Sequence, residues 1–354
     1  FNVKLDLSPL KRTWFKTFNL MLSSSYEDNL IERSKLVQLT RQSVAATSMV
    51  AGEHDGVVLP YKYQAYHNVD GKPFYFFAKL NGKFQIPSDV ISNTLLLGMD
   101  WNLDKNFGKG QVYDMERPLY ATSMSLRPRS LSSIPSNQQW ALYAEERLTL
   151  PFAGHSLEVV GGIRGTQMLN LAEGFRMKGK FYWDPRVNVG LTFPKFMVGN
   201  RISFVRISGG VGEHTKFPTM DQLYPDPVYL DLTQLNYYHA NAAYRRVNIM
   251  TYVIDPTNKN LTPARNLKWE VSTDVNIGGN RLSVTLFREN MTSGFRSQSY
   301  YAPYTYKWYD TSGIDADALV GPPSLDGLPY ELRKELMGYS YYTNGSQTLK
   351  GGVE

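Results

Sequence analysis

The stretch Asp274–Asn290 reads DVNIGGNRLSVTLFREN. Its apolar residues take alternate positions, Val275 and Ile277, then Leu282, Val284 and Leu286, while Asn276, Ser283 and Thr285 take the others. Successive side chains on a strand point to opposite faces, so each run has one apolar and one polar face. A two-residue turn at Gly279-Asn280 would join the runs as a hairpin, with Ile277 opposite Leu282 and Val275 opposite Val284. What the apolar face touches, a protein core or lipid, decides the fold.

The alternation recurs along the chain. FNVKLDL leads through the turn SPLKR into TWFKTFNLMLS. FYFFAKLNGKFQI turns at PSDVISN into TLLLGMDWNLD, with Leu95, Leu97, Met99, Trp101 and Leu103 on one side. QWALYAEERLTL turns at PFAGH into SLEVVGGIRGTQM. DPRVNVGLTF turns at PKFMVGN into RISFVRISGGVG, and LKWEVSTDVNI with RLSVTLFREN closes the set. The period-2 pattern gives roughly ten strands in about five hairpins. These runs reach about 10–13 residues, against a globular mode of about 5–6 and the ~9–11 of a tilted membrane strand.

Connections alternate as well. Short turns face one end, and long connections near 27–72, 105–137, 169–180, 212–265 and 294–341 face the other. That asymmetry fits outer-membrane barrels. Trp101, Trp140, Trp183 and Trp269 fall near the long-loop ends, where an aromatic girdle would meet the lipid interface. On this reading the fold is all-β, an antiparallel up-and-down transmembrane barrel, and the apolar face of the opening hairpin meets lipid. A soluble carbohydrate-binding all-β protein is the alternative, with shorter strands and less one-sided loops.

Composition agrees. The chain has 354 residues, 42% of them hydrophobic, and no cysteine, which excludes thiol catalysis, thiolate metal sites and disulfides. Its formal charge of +6 provides no nucleic-acid stripe. No run approaches the ~18 apolar residues of a spanning helix. The chain opens inside an alternating pattern and ends at GGVE, which reads as an internal piece of a longer protein.

Three stretches resemble the barrel of TonB-dependent outer-membrane receptors, especially those of Bacteroidetes-type bacteria. KFPTMDQLYP (Lys216–Pro225) is similar to the Phe-x-x-Pro-x-x-x-x-Leu-Tyr loop signature in compressed spacing. NKNLTPARNLKWEV (Asn258–Val271) resembles Asn-Pro-x-Leu-x-Pro-Glu followed by a strand bearing Glu; Asn258, Asn260, Leu261, Pro263 and Glu270 match, while Lys259 and Ala264 depart. NGSQTLKGGVE (Asn344–Glu354) resembles the Asn-x-Gly…Lys-Gly-x-Glu opening of a later strand, with one extra Gly. WDPRVNVGLTF is a softer match. The motifs cover about residues 140–354; residues 1–139 match through strand pattern alone.

The resemblance implies a 22-stranded barrel, of which residues 1–354 would form about half, without the plug domain that fills such barrels. It implies uptake of a large scarce solute (an iron chelate, a cofactor or a glycan) across a Gram-negative outer membrane. Partners would be the TonB–ExbB–ExbD complex, engaged through an N-terminal part outside this chain, membrane lipid and lipopolysaccharide. A surface lipoprotein lid is a further partner the resemblance allows. A passive porin or a barrel adhesin is the alternative within the same architecture.

Chemical motifs are thin, and no catalytic constellation, cofactor site or enzyme activity is expected. The five histidines, His54, His67, His155, His214 and His239, have no metal-ligand spacing. SGGVGEH (Ser208–His214) lacks the Lys-Ser/Thr of a phosphate loop, and its glycines read as places where barrel strands bend or twist. Asp310, Asp315 and Asp317 offer a calcium alternative to a solvated loop. Glu145 and Glu146 are adjacent on a strand, so they face opposite sides and make a poor acid/base pair. GLPYELRKELMG (Gly327–Gly338) reads as a short loop helix, with Leu328, Leu332 and Leu336 on one stripe.

The loops hold the candidate solute-binding residues. SYYAPYTYKWYDT carries Tyr300, Tyr301, Tyr304, Tyr306 and Trp308, and QLNYYHANAAYRRVNIMTY carries Tyr237, Tyr238, Tyr244, Arg245 and Arg246. Tyrosine combines rigid ring area with a hydroxyl, which suits stacking on sugar rings or planar chelators. The paired arginines suit carboxylates or phosphates. Packing of loop on loop is the alternative for the rings.

Overall fold

The opening hairpin forms, but its turn lies one residue earlier than expected. In the computed structural model, which describes residues 1–10, 14–88, 90–120 and 127–354, Ile277 pairs with Asn280 and Val275 with Leu282. The turn is therefore Gly278-Gly279, both at positive φ (62° and 92°). A two-residue turn of the type that matches strand twist needs φ > 0 at both central positions, and two glycines provide that without a Cβ penalty. The register moves by two residues, so every side chain keeps its face.

Among the described residues, twelve strands form the main sheet. Eleven lie side by side: Asn2–Leu7, Phe15–Tyr26, Pro73–Ile86, Ser92–Asn106, Asn137–Phe152, His155–Leu169, Phe181–Thr192, Arg201–Lys216, Ala264–Ile277, Asn280–Tyr309 and Tyr330–Val353. The twelfth, Phe196–Val198, pairs with the start of Arg201–Lys216. All neighbours are antiparallel, and Asn2–Leu7 and Tyr330–Val353 stand at opposite ends of the order, so the barrel is partial and not closed. The turns SPLKR and PSDVISN and the loop 105–137 reach residues 11–13, 89 and 121–126, outside the described residues.

Following the register across the sheet places Leu97, Leu142, Val189 and Val284 on one face. They are 44%, 39%, 43% and 39% exposed among the described residues. The four girdle tryptophans share that face, and Trp101 sits directly opposite Trp140. A second group of rings stands at the short-turn end, where Trp14 stacks on Phe84 at 5.4 Å and His155 lies between Phe152 and Phe193 at 5.2 and 5.5 Å. Ring belts at both edges of an apolar band are the mark of a wall in lipid.

The opposite face is ionised. Arg186 donates to Glu145 across Gly162, the three residues lying in one row on adjacent strands. Arg206 reaches Glu158 at 2.9 Å past Gly190. Arg164 grips both oxygens of Asp100 at 2.8 Å and lies over the Tyr143 ring. A Cβ on Gly190 would come within 2.6 Å of Arg206, and one on Gly210 within 2.1 Å of Asn188. These glycines give room for long side chains to lie flat along the wall, a more specific role than bending the strands.

The long connections are not bare loops. Asn29–Gln38, Lys62–Gly71 and Gly110–Tyr113 form one small sheet, and Val228–Tyr237, Arg246–Ile254 and Gly52–Asp55 another. The largest departure from expectation is 294–341. Asn280–Tyr309 is one strand of 30 residues paired with the 24 residues of Tyr330–Val353 up to Tyr309↔Tyr330. Since about 9–11 residues cross a membrane, most of this hairpin stands beyond the wall. The expected helix at 327–338 is strand from Tyr330 onward.

Candidate functional site

The projecting hairpin is anchored at its base by the three motifs. Phe217, Met220, Leu223 and Tyr224 of the first motif and Leu261 of the second pack with Met168, Leu171, Phe175 and Met177 into an apolar cluster; Leu223 and Leu261 are 0% exposed. Gln222 accepts from the Thr219 N–H at 3.0 Å and caps the single helical turn Met220–Leu223. Asn344 of the third motif accepts from the Thr262 N–H at 2.9 Å and donates to the Thr262 and Ser293 carbonyls, each at 2.9 Å. It sits where the hairpin register slips, between Met291 and Phe295. Replacing Asn344 by Ala strands these part-buried groups and should cost about 1–3 kcal/mol locally. Amide exchange of residues 293–309 in the full-length protein should quicken accordingly, and unchanged exchange would count against the anchor.

Above the base, Tyr300, Tyr304, Tyr306 and Trp308 share one face of the hairpin with Tyr339 and Tyr341. Tyr300 lies 5.5 Å from Tyr339, and Tyr304 lies 5.0 Å from Tyr252 of the neighbouring loop sheet. The Tyr252 hydroxyl donates to the Thr305 carbonyl at 2.6 Å. Burial raises the Tyr304 phenol above its ordinary pKa, and the nearby Tyr339, Tyr300 and Tyr252 add to the shift. Tyr301 is on the other face, with Leu332 and Leu336. Near the tip, Arg333 covers the Trp308 ring at 4.4 Å, and Lys307 pairs with Glu53 at 2.9 Å. That bond to Glu53 raises the Lys307 pKa.

The second group of candidates forms its own knot. His239 is 6.5 Å from Tyr237 and 5.1 Å from Tyr244. Arg245 lies over Tyr238 at 4.4 Å and donates through Nε to the His239 carbonyl at 2.7 Å. Arg246 clasps Asp55 at 3.1 and 3.2 Å and donates to the Pro323 carbonyl at 2.7 Å. The two arginines are thus engaged within the chain. Beside them is a cavity of about 510 Å³ lined by Asp55, Tyr61, Ala242, Arg245, Arg246 and Pro322. The loop sheet of Val228–Tyr237, Arg246–Ile254 and Gly52–Asp55 joins the two groups, through Tyr252 to one and Arg246 to the other.

For the calcium alternative, Asp310 accepts from the Ser312 N–H and Asp315 from the Asp317 N–H, each capping its own turn. That backbone bond lowers the Asp310 pKa. Among the described residues no three acidic or histidine side chains gather as a metal site. Tyr252, Tyr339 and Tyr341 are not among the residues expected from sequence: Tyr252 and Tyr339 meet Tyr304 and Tyr300 from distant segments, whereas the ring run Tyr339–Tyr342, with Tyr341 6.4 Å from Tyr339, was a local signal.

Comparison with known proteins gives the following. Residues 2–352 match the family model described as "TonB dependent receptor-like, beta-barrel". No curated protein matches the chain. Among solved structures, the one titled "Structure of the RagAB peptide transporter" is similar at 12% identity and TM-score 0.45, over 88% of this chain and 34% of that one. The chain therefore spans about a third of that protein's length.

Proposed function

From the premise that the chain belongs to the TonB-dependent receptor β-barrel family, we propose that it is part of the wall and mouth of an outer-membrane importer for a large scarce solute. Barrels of this family lie in Gram-negative outer membranes. The long-loop end then faces outward and captures the solute, an iron chelate, a cofactor or a glycan. Transport draws on the TonB–ExbB–ExbD complex through a part of the protein outside this chain, the outer wall meets lipid and lipopolysaccharide, and a surface lipoprotein can cover the mouth.

The observation that carries the capture site is the ring face of the projecting hairpin, held in place by Tyr252 and Asn344. Rigid rings with hydroxyls lose little entropy on binding and make strong anchors. Replacing Tyr304, Tyr306 and Trp308 by Ala in the full-length receptor should weaken solute binding to whole cells by about 1–3 kcal/mol per anchoring ring. Unchanged binding at normal surface expression would remove this hairpin as the capture site.

A further inference from the structure

Between its two ring belts, the outer face of the strands from Ser92–Asn106 to Phe181–Thr192 carries one charged side chain among the described residues. Glu146 pairs in register with Leu95 on one side and Gly161 on the other, both outer-face positions. It lies six residues from Trp140 of one belt and six from Phe152 of the other (146 − 140 and 152 − 146). At ~3.3 Å per residue and ~45° tilt, that puts it ~14 Å from each, near the middle of the hydrocarbon. The ionised inner face has no use for it, because Glu145 is the residue that pairs with Arg186.

The surroundings are shaped as well as charged. Asn93 donates to Glu146 Oε1 at 3.0 Å, which leaves Oε2 for another donor. A Cβ on Gly161 would meet nothing within 4 Å. The missing side chain opens a groove of about 370 Å³ flanked by Leu95, Ala144, Leu148, Val159 and Ile163, with Glu146 at its side. Ionisable residues at this depth are costly and mark sites of interaction.

We propose that the outer wall around Glu146 is a docking site, inside the bilayer, for a membrane-embedded partner protein. The partner lays an apolar ridge into the groove over Gly161 and brings a donor side chain to the Glu146 carboxylate. A second copy meeting the same patch about a twofold axis would set Glu146 against Glu146, and this outer face offers no cation at that depth among the described residues. Charge complementarity therefore selects a different protein.

The test places a photo-reactive benzoylphenylalanine at Val159 of the full-length receptor in intact outer membranes. Illumination should give an adduct with a protein of another mass, and the peptide joined should come from a membrane-embedded segment. Glu146→Leu should reduce the adduct by about tenfold or more, and Gly161→Leu, which fills the groove, should do the same. Both variants must keep the heat-modifiable mobility of a folded barrel. Removing a carboxylate from lipid should also raise the unfolding midpoint of the isolated Glu146→Leu barrel. An adduct that survives Glu146→Leu, an adduct of twice the receptor's mass, or adducts with lipid alone would each overturn the proposal. A lowered midpoint would overturn it too, because Glu146 would then serve the wall itself.

Discussion

Arg127→Met, with Asp231 left in place, should loosen the long-loop assembly by about 3–5 kcal/mol. Arg127 Nη2 donates to both oxygens of Asp231 at 3.0 Å, and the two side chains are 3% and 2% exposed. Arg127 Nε also donates to the Ser48 carbonyl at 3.0 Å, and its guanidinium lies over Tyr229 at 4.8 Å. Asp231 accepts a further bond from Thr251 Oγ1 at 2.6 Å, and Thr251 is 2.8 Å from His54 Nε2. One ion pair thus ties together segments around residues 48, 54, 127, 231 and 251. Without the arginine, a buried carboxylate keeps its desolvation cost and loses its counter-charge. The double change Arg127→Met with Asp231→Leu should recover most of the loss, because an apolar pair of similar volume often replaces a buried ion pair at little cost. Amide exchange of Val228–Ile254 in the intact receptor reads the effect, and loop proteolysis gives a second measure. A single variant that loses under ~1 kcal/mol, or a double variant no better than the single, would show that the pair does not hold the loops.

The wall was legible because its information is local. Alternation at Leu95, Leu97 and Met99 needs no knowledge of the partner strand, and lipid on one side permits a simple code. The turn at Gly278 was misplaced because Gly-Gly-Asn admits two placements that leave every face unchanged. The stretch 327–338 was misread for a related reason. Leu328, Leu332 and Leu336 are four apart, which suits a helical stripe and also one face of a strand. Only the long partner Asn280–Tyr309 decides between them. Glu146 could be placed from sequence, since adjacent residues of a strand must split between faces. Its depth and its groove needed the register.

The candidate site was legible as composition and not as geometry. Rings were found at Tyr300–Trp308, but Tyr252 and Tyr339, which hold them, lie on other segments. Arg245 and Arg246 read as cations suited to a ligand; in the fold Arg246 is held by Asp55 and the Pro323 carbonyl, while Arg245 gives its Nε to the His239 carbonyl, and both line the neighbouring cavity. The three family motifs were visible one by one. That they meet at the foot of one hairpin, through Asn344 and Leu261, follows from bonds between residues 82 apart and from a buried cluster spanning four segments.

The facing of the wall makes the other large prediction, and it separates a membrane barrel from a soluble sheet. Val284 is on the apolar face, in register with Thr273, and Thr285 is on the ionised face beside Ser272. The two positions share a strand, a depth and a local pairing, so backbone effects of substitution cancel between them. Val284→Arg puts a cation among acyl chains and should cost about 2–4 kcal/mol near the midplane. Thr285→Arg puts the same cation among Ser272, Glu270 and Glu289, the last of which already binds Lys268 at 2.9 Å. Its cost should be under ~1 kcal/mol, because the side chain reaches water and carboxylates. Heat-modifiable folding of the full-length receptor in detergent or lipid vesicles gives the comparison, with urea titration in vesicles supplying the free energies. Equal losses would mean that neither face meets lipid. The reverse order would mean that the ionised face points outward, and the glycine-spaced arginine pairs would then require a protein layer over them.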